Sequence, residues 1–140
     1  MKSRIEKALE RRQKGYNCSQ AVLCTYADRA GMDEETAYRV AEAFGTGMGG
    51  MQETCGAVTA MFLLAGMLAG SAPGDRGKRA ETYKTVRMLS KAFQDMNGST
   101  VCRELKGWDG KPVLRSCNGC IEDACRLIEK ILLEKENTEV

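Results

Sequence analysis

Sulfur is the reactive element of this chain. It carries seven cysteines, Cys18, Cys24, Cys55, Cys102, Cys117, Cys120 and Cys125, and no histidine. The missing imidazole excludes His-based acid–base catalysis, two-Cys two-His zinc sites and His-ligated haem. Cys117-Asn-Gly-Cys120 is a recognised metal and redox spacing that holds two sulfurs within one helical turn, so it can serve as a dithiol. Ile121 follows it, which rules out a c-type haem attachment motif. Cys18, Cys55 and Cys102 stand far apart in sequence, and only the fold can bring them together. Cys24 and Cys125 lie inside helical segments beside apolar neighbours and read as small core residues. No further role for them follows from the sequence.

Cys18, Cys55, Cys102 and Cys117 each fall in the first turn of an expected helix. Unpaired N–H groups and partial positive charge gather there, which favours thiolate over thiol. The effect is small. A helix end contributes roughly 0.3–1 kcal/mol, less than one pKa unit at ~1.36 kcal/mol. Helix ends alone therefore cannot keep four converged thiolates charged against their mutual repulsion, whereas a metal centre or disulfide pairing can. If the four meet, the site is expected to be metallated or redox-labile.

The elements that must position these sulfurs read as helices throughout. Pro occurs only twice, no segment alternates like a strand, and apolar residues recur at helical spacing. The first helix runs from Ser3 to Arg12 with Ile5, Ala8 and Leu9 on one face, and Gly15 ends it. Asn17 precedes a second helix, Ser19 to Arg29, stopped by Gly31. Asp33 caps a third, with Thr36 at the third position, carrying Ala37, Val40, Ala41 and Phe44 inward to about Phe44. Between Glu53 and Asp75 there is no charged residue, so a fully buried central helix is expected at about 55–70. Arg79 to Met96 forms a long amphipathic helix with Tyr83, Val86, Leu89, Ala92, Phe93 and Met96 on its apolar side. Ser99 or Thr100 caps a short turn, Val101 to Lys106, and Ser116 caps the final helix with Ile121, Ala124, Ile128 and Leu132. The tail from Glu134 to Val140 is expected to fray.

A glycine-rich loop, Gly45-Thr-Gly-Met-Gly-Gly50, feeds Cys55. Gly45-x-Gly47-x-x-Gly50 matches a dinucleotide fingerprint formally, but that motif needs a preceding strand, and here a helix precedes it. The glycines Gly45, Gly47, Gly49, Gly50 and Gly56 are instead expected to let backbone pass close to Cys55, or to donate N–H groups to an anionic sulfur cluster. Met48, Met51, Met61, Met67 and Met88 show no clustered M-x-x-M run for copper and are expected to fill the core.

The 140 residues, 43% hydrophobic and 29% charged, suit one soluble domain spanning 1–140, an all-α, compact helical bundle of about five to six helices around the buried helix at about 55–70. A formal charge of +2 with interleaved signs argues against nucleic acid as a partner. The uncharged run is diluted by Gly, Ala, Ser, Thr and Pro, so no membrane insertion is expected. Met1 to Lys14 alternates charge without an apolar run, so no signal peptide is expected. Cysteine-rich chains of this kind suit a reducing, cytoplasmic setting.

Gly15-Tyr16-Asn17-Cys18-Ser19-Gln20-Ala21-Val22, Phe44-Gly45 with the following glycines, Cys55-Gly56-Ala57, Cys102-Arg103-Glu104-Leu105-Lys106-Gly107 and Cys117 before the last helix together resemble the C_GCAxxG_C_C family of small redox-active proteins. The resemblance covers nearly the whole chain and places the four family cysteines on Cys18, Cys55, Cys102 and Cys117, leaving Cys120 as an extra. Ala60 stands where the motif's last glycine would be. The family is similar to the C-terminal part of split-Soret cytochromes, where an iron–sulfur cluster is associated with such cysteines. The resemblance implies a redox role and leaves open whether the chain is an enzyme. Its leading form is electron transfer by an iron–sulfur cluster of the 2Fe–2S type, ligated by Cys18, Cys55, Cys102 and Cys117, with Cys120 a nearby alternative. A thiol–disulfide oxidoreductase using Cys117 and Cys120, or Cys55 with a resolving partner, is the second reading. A zinc-stabilised binding module with four thiolate ligands is the third. A redox partner protein is expected but not identified, and the oligomeric state stays open, a homodimer included.

Overall fold

The computed structural model describes residues 1–134; the expected fraying of residues 135–140 lies outside them. The chain is an all-α bundle. In order it forms α1 (Ile5–Gln13), α2 (Cys18–Tyr26) continued by a 3₁₀ turn (Ala27–Ala30), α3 (Glu34–Glu42), α4 (Gly56–Ala69), α5 (Arg79–Asn97), α6 (Cys102–Lys106) and α7 (Cys117–Leu127), which runs on as a π-helical turn (Ile128–Leu133).

Local capping explains where several helices start. Asn17 and Gln20 form a reciprocal capping box at α2: the Gln20 N–H donates to Asn17 Oδ1 and the Asn17 N–H donates to Gln20 Oε1, both at 2.9 Å. The Thr36 N–H donates to the Asp33 carboxylate at α3, and the Gly119 N–H to Ser116 Oγ at α7, as expected. The expected cap of the short helix α6 differs. Val101 occupies the cap position without a side-chain bond, and Ser99 Oγ accepts the Val101 N–H instead.

The core is built on α2 and α4 together. Every residue of α2 is buried, including Ser19, Gln20 and Thr25. Two of the three find partners: Gln20 Nε2 donates to the Tyr38 carbonyl and Thr25 Oγ1 to the Ala21 carbonyl, whereas the buried Ser19 hydroxyl has no hydrogen-bond partner among the described residues. Such internal satisfaction is what lets a mixed-polarity segment sit as deep as an apolar one. α4 is buried from Gly56 to Met61 and at Leu64 and Ala65, but its C-terminal end emerges at Met67. On α5, Leu89 and Phe93 are buried, whereas Tyr83 and Met96, expected inward, are exposed. The methionines divide likewise: Met61 is a core residue, and Met51, Met67 and Met88 lie at the surface. Side chains at the margin of a helical stripe turn outward when no facing element covers them. No helix among the described residues is long and apolar enough to cross a membrane.

A clamp between the chain ends closes the bundle. The buried Tyr26 hydroxyl donates to Glu129 Oε2 at 2.5 Å, and the Arg4 N–H donates to the same oxygen at 2.8 Å. Arg4 also pairs with Asp28, which draws the Asp28 carboxyl below the ordinary carboxylate range.

Candidate functional site

The glycine-rich loop leaves helical geometry after Gly45. Thr46, Gly47, Met48, Gly49, Gly50 and Gln52 all adopt left-handed backbone, with φ between 51° and 83°. Its N–H groups return to the loop itself: Gly49 and Gly50 donate to the Gly45 carbonyl, Gln52 to Thr46 and Glu53 to Gly47. The N–H groups of Gly49 and Gly50 are therefore committed within the turn, away from any sulfur. A short antiparallel bridge, Thr54 with Val101, then ties the loop to the segment before α6. Cys55 N–H donates to the Thr100 carbonyl at 2.8 Å, and Cys102 N–H to the Glu53 carbonyl at 2.6 Å. Two cysteines distant in sequence are brought side by side because each directly follows a residue of that bridge.

Gly47 makes this closeness sterically feasible. A Cβ there would lie 2.7 Å from the Cys102 Cβ and 2.6 Å from the Glu53 nitrogen. Its close approach is thus to Cys102 rather than to Cys55. Gly56 does the same between helices, since a Cβ there would sit 2.9 Å from the Phe44 carbonyl and 3.1 Å from the Ser19 nitrogen.

Cys18, Cys55, Cys102 and Cys117 line one cavity of about 230 Å³ with Gly47 and Gly56. Gly45, Gly49 and Gly50 shape the turn without lining it. The sulfurs are organised in pairs across helix starts. Cys117 is the largest influence on the Cys18 thiol, and Cys120 on the Cys55 thiol. Cys120, fully buried one turn into α7, is thus part of the cluster and not peripheral to it. The sulfur that acts on it most is Cys55, at the start of α4, not Cys117 of its own helix. Cys102 is buried beside them. All the cysteines are free thiols, and Cys117 alone is not buried. Cys24 and Cys125 lie in the core, where the Cys24 thiol contacts the Glu34 carbonyl at 3.8 Å.

Within each pair the proton is distributed unequally. The hydrogen bond from Cys18 pulls the Cys117 thiol well down, helped by Lys106 and Arg12. The bond with Cys55, with Lys106 adding to it, pulls Cys120 down. Their partners move the other way: hydrogen bonding to a neighbouring thiolate, then burial, raises Cys18 and Cys55, and burial raises Cys102. Position at a helix start was expected to favour thiolate at all four positions. It does not at three of them, because ~0.3–1 kcal/mol from a helix end is outweighed by desolvation and by a neighbouring negative sulfur.

Three residues of the site were not singled out from the sequence. Lys106 Nζ lies 3.4 Å from Cys120 Sγ and donates to the Arg115 carbonyl at 3.5 Å. Arg12, from α1, reaches the cavity near Cys117, and Trp108 stands at its rim, half-exposed. For Lys106 a signal existed: it follows Cys102 by four residues, one turn along the same helix face. Arg12 carried none, because it enters from a separate helix.

Among the described residues, no group of three or more His, Cys, Asp or Glu side chains is arranged to hold a metal ion. The thiols share a cavity without converging on one point. No curated protein and no solved structure matches the chain. Residues 16–131 match the family model described as putative redox-active protein (C_GCAxxG_C_C), and with all four of the motif's cysteines around one cavity, the chain belongs to that family.

Proposed function

We propose that this is a thiol–disulfide redox protein whose working groups are the pairs Cys18–Cys117 and Cys55–Cys120. The observation that carries the reading is the pairing itself: each couples a sulfur favoured as thiolate to one held as thiol. That is the division of labour between an attacking and a resolving cysteine. Cys117, being half-buried, is the sulfur a partner can reach. Its thiolate attacks a partner disulfide, forming a mixed disulfide and expelling one partner sulfur. Cys18 then gives up its proton and attacks Cys117, expelling the second partner sulfur. The pair loses two electrons, and the partner disulfide gains them. Cys55 and Cys120, both fully buried, can re-reduce the first pair by the same exchange. Such chemistry suits a reducing, cytoplasmic setting and a separate redox partner protein.

The test counts free thiols in the purified protein, before and after mild oxidation and again after reduction. A reversible loss of two or four thiols per chain, mapped to these pairs, is expected. Oxidation that joins Cys117 to Cys120 and leaves Cys18 free would contradict the pairing.

A second reading rests on a different observation, the shared cavity of the four motif cysteines. Four thiolates are the usual ligand set of an iron–sulfur cluster, so Cys18, Cys55, Cys102 and Cys117 are the residues that would hold one, and a 2Fe–2S centre supplies one-electron transfer when bound. Gly47 and Gly56 let the segments that carry these cysteines pack closely, since a Cβ at either would clash with Cys102 or with the Phe44 and Ser19 backbone. Anaerobic purification with iron, sulfide and zinc analysis separates the readings. Stoichiometric iron and sulfide with brown colour support the cluster, zinc without colour supports a tetrathiolate structural module, and metal-free protein supports the dithiol pairs.

A further inference from the structure

The charge around the cavity is one-sided. Arg12 and Lys106 both line it, and no carboxylate does among the described residues. Among the described residues, neither cation forms a salt bridge to a carboxylate. Arg12 donates to the Tyr16 carbonyl, and Lys106 to the Arg115 carbonyl and the Cys120 sulfur. Most of the protein's other basic side chains with resolved partners are paired with acids, Arg4 with Asp28, Arg11 with Glu34, and Arg115 with Asp123. The negative neighbours of half-buried Arg12 and Lys106 are the Cys117 and Cys120 sulfurs themselves. Consuming the Cys117 thiolate in an exchange therefore frees positive charge at the mouth of the cleft, where a low-dielectric wall focuses the field toward an anionic visitor. The volume, about 230 Å³, falls below the ~300–1,000 Å³ of pockets that enclose a drug-sized molecule. It admits one arm of a small compound, with half-exposed Trp108 in its wall.

We propose that the cavity selects a small disulfide bearing a carboxylate on the arm that enters, the carboxylate meeting Arg12 and Lys106 while its sulfur faces Cys117. The proposal rests on the dithiol reading and adds the substrate class. In the exchange, the substrate S–S bond breaks, a Cys117–sulfur bond forms, and the first arm leaves as a thiol. The Cys18 sulfur then displaces the second arm from Cys117. The pair gives up two electrons, and the two released thiols take two protons, one from Cys18 and one from water.

The experiment compares oxidation of the fully reduced chain by 3,3′-dithiodipropionate and by its neutral diamide, each rate normalised to the same reagent acting on a simple thiol. The dicarboxylate is expected to react about tenfold faster at low ionic strength, the lower end of the ~10–10³ range for a charge-focusing cleft. The preference should shrink at high salt in the unaltered protein and collapse in Arg12→Gln and in Lys106→Gln. Equal normalised rates would overturn the inference. A binding readout separates this from the redox reading: suberate, an unreactive dicarboxylate of similar length, should slow alkylation of Cys117 by iodoacetamide. If the chain exchanges with neither disulfide but suberate still protects Cys117, the redox reading fails and the anion site stands. If exchange proceeds without protection or preference, the anion site fails and the redox reading stands.

Discussion

Replacing Lys106 with Gln tests how the thiols around the cavity are tuned. The amine lies 3.4 Å from Cys120 Sγ in a half-buried site with no carboxylate to share it. Coulomb's law at an effective dielectric of ~20 gives roughly 5 kcal/mol for a charge pair at this distance, a gross figure that ignores desolvation of both groups. The net value of a hydrogen bond to a charged partner, about 1.5–3 kcal/mol, is the better guide. At ~1.36 kcal/mol per unit this moves the Cys120 thiol up by about one to two pKa units. The assay is a pH titration of ultraviolet thiolate absorbance in the Cys117→Ser background, so that the transition below the ordinary thiol range reports Cys120. Gln keeps a donor but removes the charge, and Lys106→Arg should keep the low midpoint. Stability should also fall, because although burial opposes the charged amine, the Cys120, Cys55 and Cys117 sulfurs raise it above its ordinary value and the fold favours the charge on balance. A midpoint that stays put in folded Lys106→Gln protein would refute the electrostatic argument, and would leave the Cys55 hydrogen bond as the sole source of the shift.

Three other substitutions probe the scaffold around the site. Gly119→Ala puts a methyl against the Arg115 guanidinium, which crosses the first turn of α7 to reach Asp123, 4% exposed. Ala normally stabilises a helix interior over Gly by up to ~1 kcal/mol, so the expected loss of about 1–3 kcal/mol in chemical denaturation has the opposite sign, and a gain would contradict the structure. Gly47→Ala should cost more than Gly50→Ala, though both have left-handed backbone. The first adds a clash with Cys102 and the Glu53 nitrogen, while the second meets open space; equal melting shifts would show that the loop does not press on Cys102. Asp28→Asn tests the clamp to Arg4. Because the folded carboxyl is held below its unfolded value, its contribution is present above pH ~4 and is lost as pH falls through the lower folded value. Asp28 is largely exposed, so denaturation at neutral pH should show a loss of only about 0.2–1 kcal/mol, vanishing in strong acid; a loss unchanged in acid would assign it to packing.

Helix positions and several starts were legible in the sequence because their causes are local. Asp33 and Ser116 hold the N–H groups three residues on, and the spacing of Ala37 and Ala41, or of Ile121, Ala124 and Ile128, presents one face whatever lies opposite. The placement of Cys18, Cys102 and Cys117 at first turns, and of Cys55 at a cap position, follows from the same rules. Depth was less readable. The fully buried α2 looked ordinary because it carries Ser19, Gln20 and Thr25, of which Gln20 and Thr25 are satisfied by α3 and by the preceding turn, and Met67 and Tyr83 face outward because nothing packs over them.

Partnership was decided by tertiary structure alone. That Cys117 meets Cys18 and Cys120 meets Cys55 depends on α2 and α4 both packing against α7, while the bridge of Thr54 with Val101 sets Cys102 beside Cys55. Tertiary packing also brings Arg12 to a cavity whose other cation, Lys106, comes from far along the chain. The proton preference of each sulfur follows from those neighbours and from burial. Both are long-range quantities that a helix start, acting over a single turn, cannot encode.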